Sequence, residues 1–384
     1  MIDNTVTEHY HFKVLKPDNF YCTTTKDKAT PSIDTLTELT SYEPILSTGK
    51  YEAYTLKSNL KTPFGYHPAL IEIRDVPYAS LHRFRLVINI SHPKNLHGHN
   101  LSEIYECQVM EIVEAAYNTL LYFGIQIDKD ELINNQNIRR VDFCKNVIIY
   151  SPVKDFITLL KELKKPRSKV YIGYGETIYF GTKKKKTCIY DKFCEVIKKA
   201  SKDKNDITYQ LVRELLNLQA YSNMHVIRVE QRLYGLQAIK EELKGIINPQ
   251  DITFQSLFSE KIASHVLNKH WQKISSEQKF KTLLLGEKDV NVILNALSRV
   301  VKQEQGKNVN PLFVLYTKLL ADIGEEAANQ AIKGMRKSRT LVNYKKDLFA
   351  LIQQLPIQDK RLDDYRAITS AVVNWDKFSL PINL

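Results

Sequence analysis

No stretch of this chain strings together the ~18 apolar residues that a membrane-spanning helix needs, so a membrane protein is not expected. The opening residues MIDNTVTEHYHFKV lack the apolar core of a secretory signal, which makes the cytoplasm the expected location. Cysteines are few and odd in number: five, at Cys22, Cys107, Cys144, Cys188 and Cys194, with no Cys-x-x-Cys pair. That pattern excludes a disulfide framework or a zinc cluster and leaves free thiols. Internal repeats and long low-complexity segments are also absent, the four-lysine run Lys183–Lys186 being too short to count.

What remains is a chain of 384 residues, enough for two domains, with 43% hydrophobic residues and therefore a sizeable core. Lys and Arg number 55 against 43 Asp and Glu, giving a net charge of +12 and a pI near 9.2. Such an excess suits a polyanion partner, because each phosphate neutralised releases a counterion. The 21 tyrosines add aromatic faces on which unpaired bases can stack, although most tyrosines in any protein simply pack.

Hydrophobic periodicity gives a mixture of strands and helices, an α+β chain. Residues 1 to about 80 read as irregular structure and strands. Arg83 to Ser91 alternates, with Phe84, Leu86, Ile88 and Ile90 on one face, and reads as a half-buried strand followed by a loop, HPKNLHGHN. Asn100 and Glu103 resemble a capping box for a helix that runs to Phe123 and stops at Gly124. A strand is expected over Arg139–Tyr150 and a helix from Ser151–Pro152 to about Lys164. Thr177–Phe180 and Thr187–Lys192 flank GTKKKK as a hairpin with a basic tip. Helices are expected near Cys194 and over Ile207–Tyr221, then a strand over His225–Tyr234. Beyond Pro249 helical patterns dominate, so the boundary is set there: a domain at 1–248 and a helical C-terminal domain at 249–384.

Three strand motifs carry the chemistry. They are Arg140-Val141-Asp142, Tyr190-Asp191-Lys192 with Glu195 just after, and Arg228-Val229-Glu230-Gln231-Arg232. Alternation puts Arg140 with Asp142, Tyr190 with Lys192, and Arg228 with Glu230 and Arg232. If the strands are neighbours, one face collects carboxylates, cations and a tyrosine, an arrangement that is costly unless it serves a purpose. The set fits DNA cleavage that conserves the bond: a phenolic oxygen attacks phosphorus and a 3′-hydroxyl leaves. Tyrosine, with a pKa near 10, needs help to lose its proton. A divalent metal on carboxylates and histidine can align the phosphate, and Lys192, Arg228 and Arg232 can offset phosphoryl charge. Each piece also has a plainer reading: cross-strand ion pairs for Asp142 and Glu230, packing for Tyr190, and a solvated turn for Lys183–Lys186. His97 and His99 are either metal ligands or part of a polar loop.

These residues resemble a known family, the filamentous-phage gene II-type replication initiators and the related phage and plasmid replication proteins of the II/X family. Ile90-Ser91-His92-Pro93-Lys94-Asn95-Leu96-His97-Gly98-His99-Asn100 is similar to that family's S-P-x-K-x-L-Q-G-H-N segment. Its R-[IV]-D, Y-x-K-x-x-E and R-[FV]-E-x-R strands are matched by Arg140-Val141-Asp142, by Tyr190 to Glu195, and by Arg228 to Arg232, in order through roughly residues 80–240. A helical stretch like Tyr316 to Ile357 also occurs in the family. His97 stands where the family usually has Gln, and Gly98 replaces the bulky residue between the histidines of the extended HUH signature.

The resemblance implies an HUH-like (Rep-like) catalytic domain, an antiparallel β-sheet with packed helices, that initiates rolling-circle DNA replication in a bacterial host cell. It would nick one strand of an origin, stay on the 5′ end through Tyr190, and later rejoin the strand. Lys192 and Glu195 are its expected catalytic helpers. The expected ligands for Mg2+, or Mn2+, are His99, Asp142 and Glu230. Arg140, Lys184, Lys185, Arg228 and Arg232 are expected on double- and single-stranded origin DNA, and a host polymerase and helicase are the expected partners. Arg336, Lys337 and Arg339 open a basic amphipathic helix, read as a DNA contact or as the solvated face of a small bundle. The competing functions are a plasmid-mobilisation relaxase and a catalytically silent origin-binding repressor.

Overall fold

The computed structural model describes residues 2–16, 19–22, 55–58, 70–75, 84–161, 171–172, 177–200, 213–214, 217, 224–276, 360–375 and 377–378. In chain order the strands are β1 (Ile2–His9), β2 (Lys13–Val14), β3 (Phe20–Cys22), β4 (Thr55–Ser58), β5 (Leu70–Asp75), β6 (Phe84–Ser91), β7 (Ile125–Gln126), β8 (Ile138–Ile149), β9 (Tyr171–Ile172), β10 (Thr177–Gly181), β11 (Lys185–Asp191) and β12 (His225–Tyr234). The helices are α1 (His92–His97), α2 (Val109–Phe123), α3 (Lys129–Ile133), α4 (Val153–Lys161), α5 (Lys192–Ala200), α6 (Leu236–Leu243), α7 (Phe254–Leu257), α8 (Glu260–Ser275) and α9 (Lys360–Val373).

Ten strands form one sheet in the order β3-β4-β5-β6-β1-β8-β12-β11-β10-β9, and its paired neighbours all run antiparallel. A separate ribbon pairs β2 with β7. The α+β reading with an antiparallel sheet therefore stands. The sheet centre is β8 against β12, joined over ten residue pairs from His225↔Ile149 to Tyr234↔Arg140. Period-two alternation sends Val141, Phe143, Val147 and Ile149 of β8, with Ile227, Val229 and Leu233 of β12, to one face. That face is buried in a hydrophobic cluster with Ile112 and Leu120 of α2, Phe156 and Leu160 of α4, Trp271 of α8 and Ile368 of α9. The opposite face carries Arg140, Asp142, Arg228, Glu230 and Arg232, while Lys145 and Lys185 fall on the apolar side.

The hairpin β10–β11 forms as its sequence indicates, with Ile178 opposite Ile189 and Gly181 opposite Lys186. Gly181 sits at φ 109°, where a Cβ would fall 2.3 Å from the Lys185 carbonyl oxygen, so a side chain there would break the turn. Gly124, at φ 81°, ends α2 where expected.

Two local expectations are corrected. The loop after β6 is half helical: Pro93 opens α1, and Gly98, at φ 80°, closes it. The following helix begins at Val109, not near Asn100. Glu103 does not cap it, because its carboxylate is buried and accepts from Lys145 Nζ at 2.7 Å and from the Asn146 amide at 2.5 Å. Gln108 instead closes a capping box on the short 3-10 turn Glu106–Gln108 that precedes the helix, its Oε1 accepting from the Tyr105 amide at 3.1 Å, and no side chain caps the helix itself.

The boundary expected at 248/249 falls between α6 and α7, and α8 and α9 beyond it bury Ile262, Val266, Trp271, Ile368 and Val372 in the same cluster as the sheet. Most of the helix read over Ile207–Tyr221, and the whole basic helix with Arg336, Lys337 and Arg339, lie outside the described residues. Among the described residues no helix is long and apolar enough to cross a membrane.

Candidate functional site

Strand register assembles the three motifs. Across β8 and β12, Asp142 stands opposite Arg232 and Asn146 opposite Arg228. Across β12 and β11, Arg228 stands opposite Tyr190, Glu230 opposite Cys188 and Arg232 opposite Lys186. Facing residues of an antiparallel pair share a side, so these residues occupy the polar face together.

The Tyr190 hydroxyl donates a 3.0 Å hydrogen bond to Glu230 Oε2. The other oxygen of Glu230 accepts from Arg232 Nε at 2.5 Å. Asp142 accepts from Arg140 Nε at 2.8 Å and from a second nitrogen of the same guanidinium. Arg228 is held on three sides: its Nε donates to Asn146 Oδ1 at 2.7 Å, its Nη2 to the Asn100 carbonyl at 2.7 Å, and its Nη1 lies 3.2 Å from Asp3 Oδ1. Asp142 and Glu230 do partner arginines, but each within its own strand and not across strands as the plainer reading had it, the one cross-strand approach among the described residues being Arg232 Nε at 3.9 Å from Asp142 Oδ2; these pairs coexist with the Tyr190 contact.

Lys192 differs from expectation. It is the first residue of α5 and not a strand residue. The turn into the helix carries its ammonium inward, so that it is 0% exposed, donates to Glu195 Oε2 at 2.5 Å, and lies 5.8 Å from the centre of the Tyr190 ring. A small apolar cluster of Leu101, Phe193, Val196, Met224 and Val226 flanks this end of the site, with Phe378 packed against it. Tyr190 itself is 7% exposed.

Electrostatics follow from that enclosure. Burial, and then the adjacent Glu230 carboxylate, push the Tyr190 phenol well above its ordinary value, with Arg228 opposing. Burial, and then Arg228, lower Lys192 to about 8. Burial and Glu230 raise Asp142 to about 7 against the pull of Arg140 and Arg232. His99 falls to about 4 through burial, His97 and Lys192.

His99 and His97 have ring centres 6.2 Å apart, and His99 Nδ1 accepts from the Leu101 amide at 3.3 Å. Among the described residues no group of three or more His, Cys, Asp or Glu side chains is arranged to hold a metal ion, and His99, Asp142 and Glu230 are not gathered into one. Both carboxylates already carry a guanidinium. As arranged, these residues do not fit a divalent cation.

Of the hairpin lysines, Lys184 is exposed at the tip. Lys185 points to the opposite face, where Glu242 Oε2 accepts from its Nζ at 3.0 Å. That contact sets it apart from the other residues expected on DNA. Lys186 belongs to the polar face, 5.5 Å from the centre of the Tyr179 ring. Tyr179, Tyr234, Asn146 and Asp3 also belong to this site and went unread in the sequence. Tyr234 follows from the alternation that selected Arg228 and Arg232, whereas Tyr179 needed the hairpin register.

No protein-family model matches the chain, and no curated protein matches it.

Proposed function

We propose that this chain nicks and rejoins one strand of DNA through Tyr190, as a rolling-circle replication initiator. The observation that carries the reading is the Tyr190–Glu230 hydrogen bond, a phenol already donating to a carboxylate among three cations. In the reaction, the Tyr190 oxygen attacks the scissile phosphorus as its proton passes to Glu230. A phosphotyrosine P–O bond forms, the P–O3′ bond breaks, and the 3′ oxygen leaves as a hydroxyl after taking a proton from Lys192 or water. Arg228 and Arg232 offset the charge that builds on the phosphoryl oxygens. Glu195 holds the Lys192 ammonium beside the ring. Rejoining is the same exchange reversed, with a 3′-hydroxyl attacking the phosphotyrosine.

Mg2+ or Mn2+ enters through the resemblance alone. Asp142 and Glu230 would first have to release Arg140 and Arg232, and nicking that stops in EDTA and returns with Mg2+ is the check. The cytoplasm of a bacterial host, origin DNA, and a host polymerase and helicase are likewise parts of the proposal. The enclosure of Tyr190 favours one other reading, a catalytically silent origin-binding protein, because attack on a phosphodiester requires the site to open.

Supercoiled plasmid carrying the origin of the replicon that encodes the chain separates the two. Nicking by the protein should give open circles and a protein–DNA adduct that survives SDS, and Tyr190→Phe should give neither while still binding. No adduct from the parent protein, with binding intact, leaves the silent binder.

A further inference from the structure

The polar face continues beyond Tyr190 and Glu230 toward the hairpin tip, and there it opens. Tyr179, Lys186, Arg232, Tyr234 and Arg140 are all half-buried, in contrast to the closed Tyr190 and Lys192. Register places them on one side: Tyr179 opposite Cys188, Lys186 opposite Arg232, and Tyr234 opposite Arg140. Each tyrosine has its own cation. Lys186 Nζ is 5.5 Å from the Tyr179 ring centre, and Arg140 Cζ is 5.1 Å from that of Tyr234.

We infer that Tyr179 and Tyr234 form a stacking platform for single-stranded DNA running beside the Tyr190–Glu230 pair. The choice of DNA as occupant rests on the function proposed above. Three physical arguments support it. Tyrosine rings on a flat sheet face offer stacking only to unpaired bases, since bases in a duplex are already stacked on one another. A cation beside each ring meets the phosphate that accompanies the stacked base. Among the described residues the local charge on this face is positive, because Arg140, Lys186 and Arg232 outnumber the carboxylates Asp142 and Glu230. The spacing suits one strand as well. β10 and β12 are separated by β11, which puts the two tyrosines about 10 Å apart across the sheet, and Tyr234 lies four residues from the Tyr179–Glu230 row, about 13 Å along it. Two bases a few nucleotides apart on a single strand span that diagonal.

The test is binding of a fluorescently labelled oligothymidylate of roughly 16 nucleotides, followed by anisotropy at fixed salt with full-length protein in a Tyr190→Phe background. Tyr179→Ala and Tyr234→Ala should each weaken binding on the order of tenfold, whereas Tyr179→Phe and Tyr234→Phe should bind like the parent, since the ring and not the hydroxyl does the stacking. Lys186→Ala should reduce the salt dependence by about one phosphate contact. Unlabelled duplex of the same length should compete poorly. Alanine variants that melt like the parent and bind like it overturn the platform. So do phenylalanine variants that lose as much as alanine, duplex that competes equally, or oligouridylate that competes better than the DNA. Because the background lacks the proposed nucleophile, these losses together with a parent protein that never nicks would remove the enzymatic reading and leave the platform. Nicking without the losses would do the reverse.

Discussion

Asp142 and Glu230 stand on adjacent strands with one guanidinium between them: Arg232 Nε lies 2.5 Å from Glu230 Oε1 and 3.9 Å from Asp142 Oδ2. Two buried carboxylates this close are difficult to ionise together, and Asp142 is the one that yields, retaining its proton up to about pH 7. The folded protein therefore binds this proton more tightly than the unfolded chain does. The stability it contributes is complete in acid, below the ordinary aspartate range, and is lost as pH rises through about 7. Asp142→Asn cannot titrate. Thermal melts at pH 5 and pH 7.5 should show the parent losing stability relative to Asp142→Asn over that interval, by at most a few kcal/mol. A parallel pH dependence in both proteins would place the carboxyl in a less confined setting.

Lys192 gives a kinetic counterpart. Burial and Arg228 bring its ammonium to about 8, so raising the pH through that value removes a positive charge beside the Tyr190 ring. If Lys192 supports the phosphoryl group, the nicking rate falls on the alkaline side of about pH 8. Lys192→Arg keeps its charge, and its alkaline limb should move to higher pH even if its maximal rate is lower. An alkaline limb in the same place for both proteins would assign it to another group.

Glu242 anchors the basic hairpin from the far side of the sheet. Its buried carboxylate accepts from Lys269 Nζ at 2.7 Å, Lys185 Nζ at 3.0 Å and His270 Nε2 at 3.1 Å. Although burial opposes ionisation, those hydrogen bonds hold it well below the usual carboxylate range. Its stabilisation is thus present near neutrality and lost in strong acid. Glu242→Gln removes the shared anion of three partly exposed basic groups, of which Lys185 keeps only Glu241 at 3.6 Å, and should cost about 1–3 kcal/mol at neutral pH, read by urea denaturation. The deficit should shrink as the solution is acidified. A constant deficit across pH would mean that packing, not charge, explains it.

Lys145 and Glu103 form a second ion pair, buried on both sides, with the Lys145 Nζ 2.7 Å from Glu103 Oε2 and 5.0 Å from the centre of the Trp375 ring. Lys145→Met strands a carboxylate in the interior and should cost about 3–5 kcal/mol. Adding Glu103→Gln should recover most of that loss, because a neutral amide still accepts from the Asn146 amide through its oxygen. A double variant as unstable as the single one would show that the lysine stem, not the charge, is what the site requires.

Sequence alone determined the strands that matter and the face on which their charges lie. Strict alternation over Arg228–Arg232 and Arg140–Asp142, and glycines whose positive φ fixes the ends of α2 and β10, are local consequences of side-chain geometry and backbone sterics, so they are legible residue by residue. Tertiary structure decided which residues meet. Glu103 looks like a helix cap until Lys145 and Asn146, some forty residues later, claim its carboxylate. Lys185 and Lys186 read as one basic run, yet the pleat sends the first to Glu242 and the second to Tyr179. Register between strands distant in sequence is what brings Tyr190 to Glu230 and Asp142 to Arg232. It depends on burying the opposite, apolar face against helices contributed by the whole chain, which no short motif can encode.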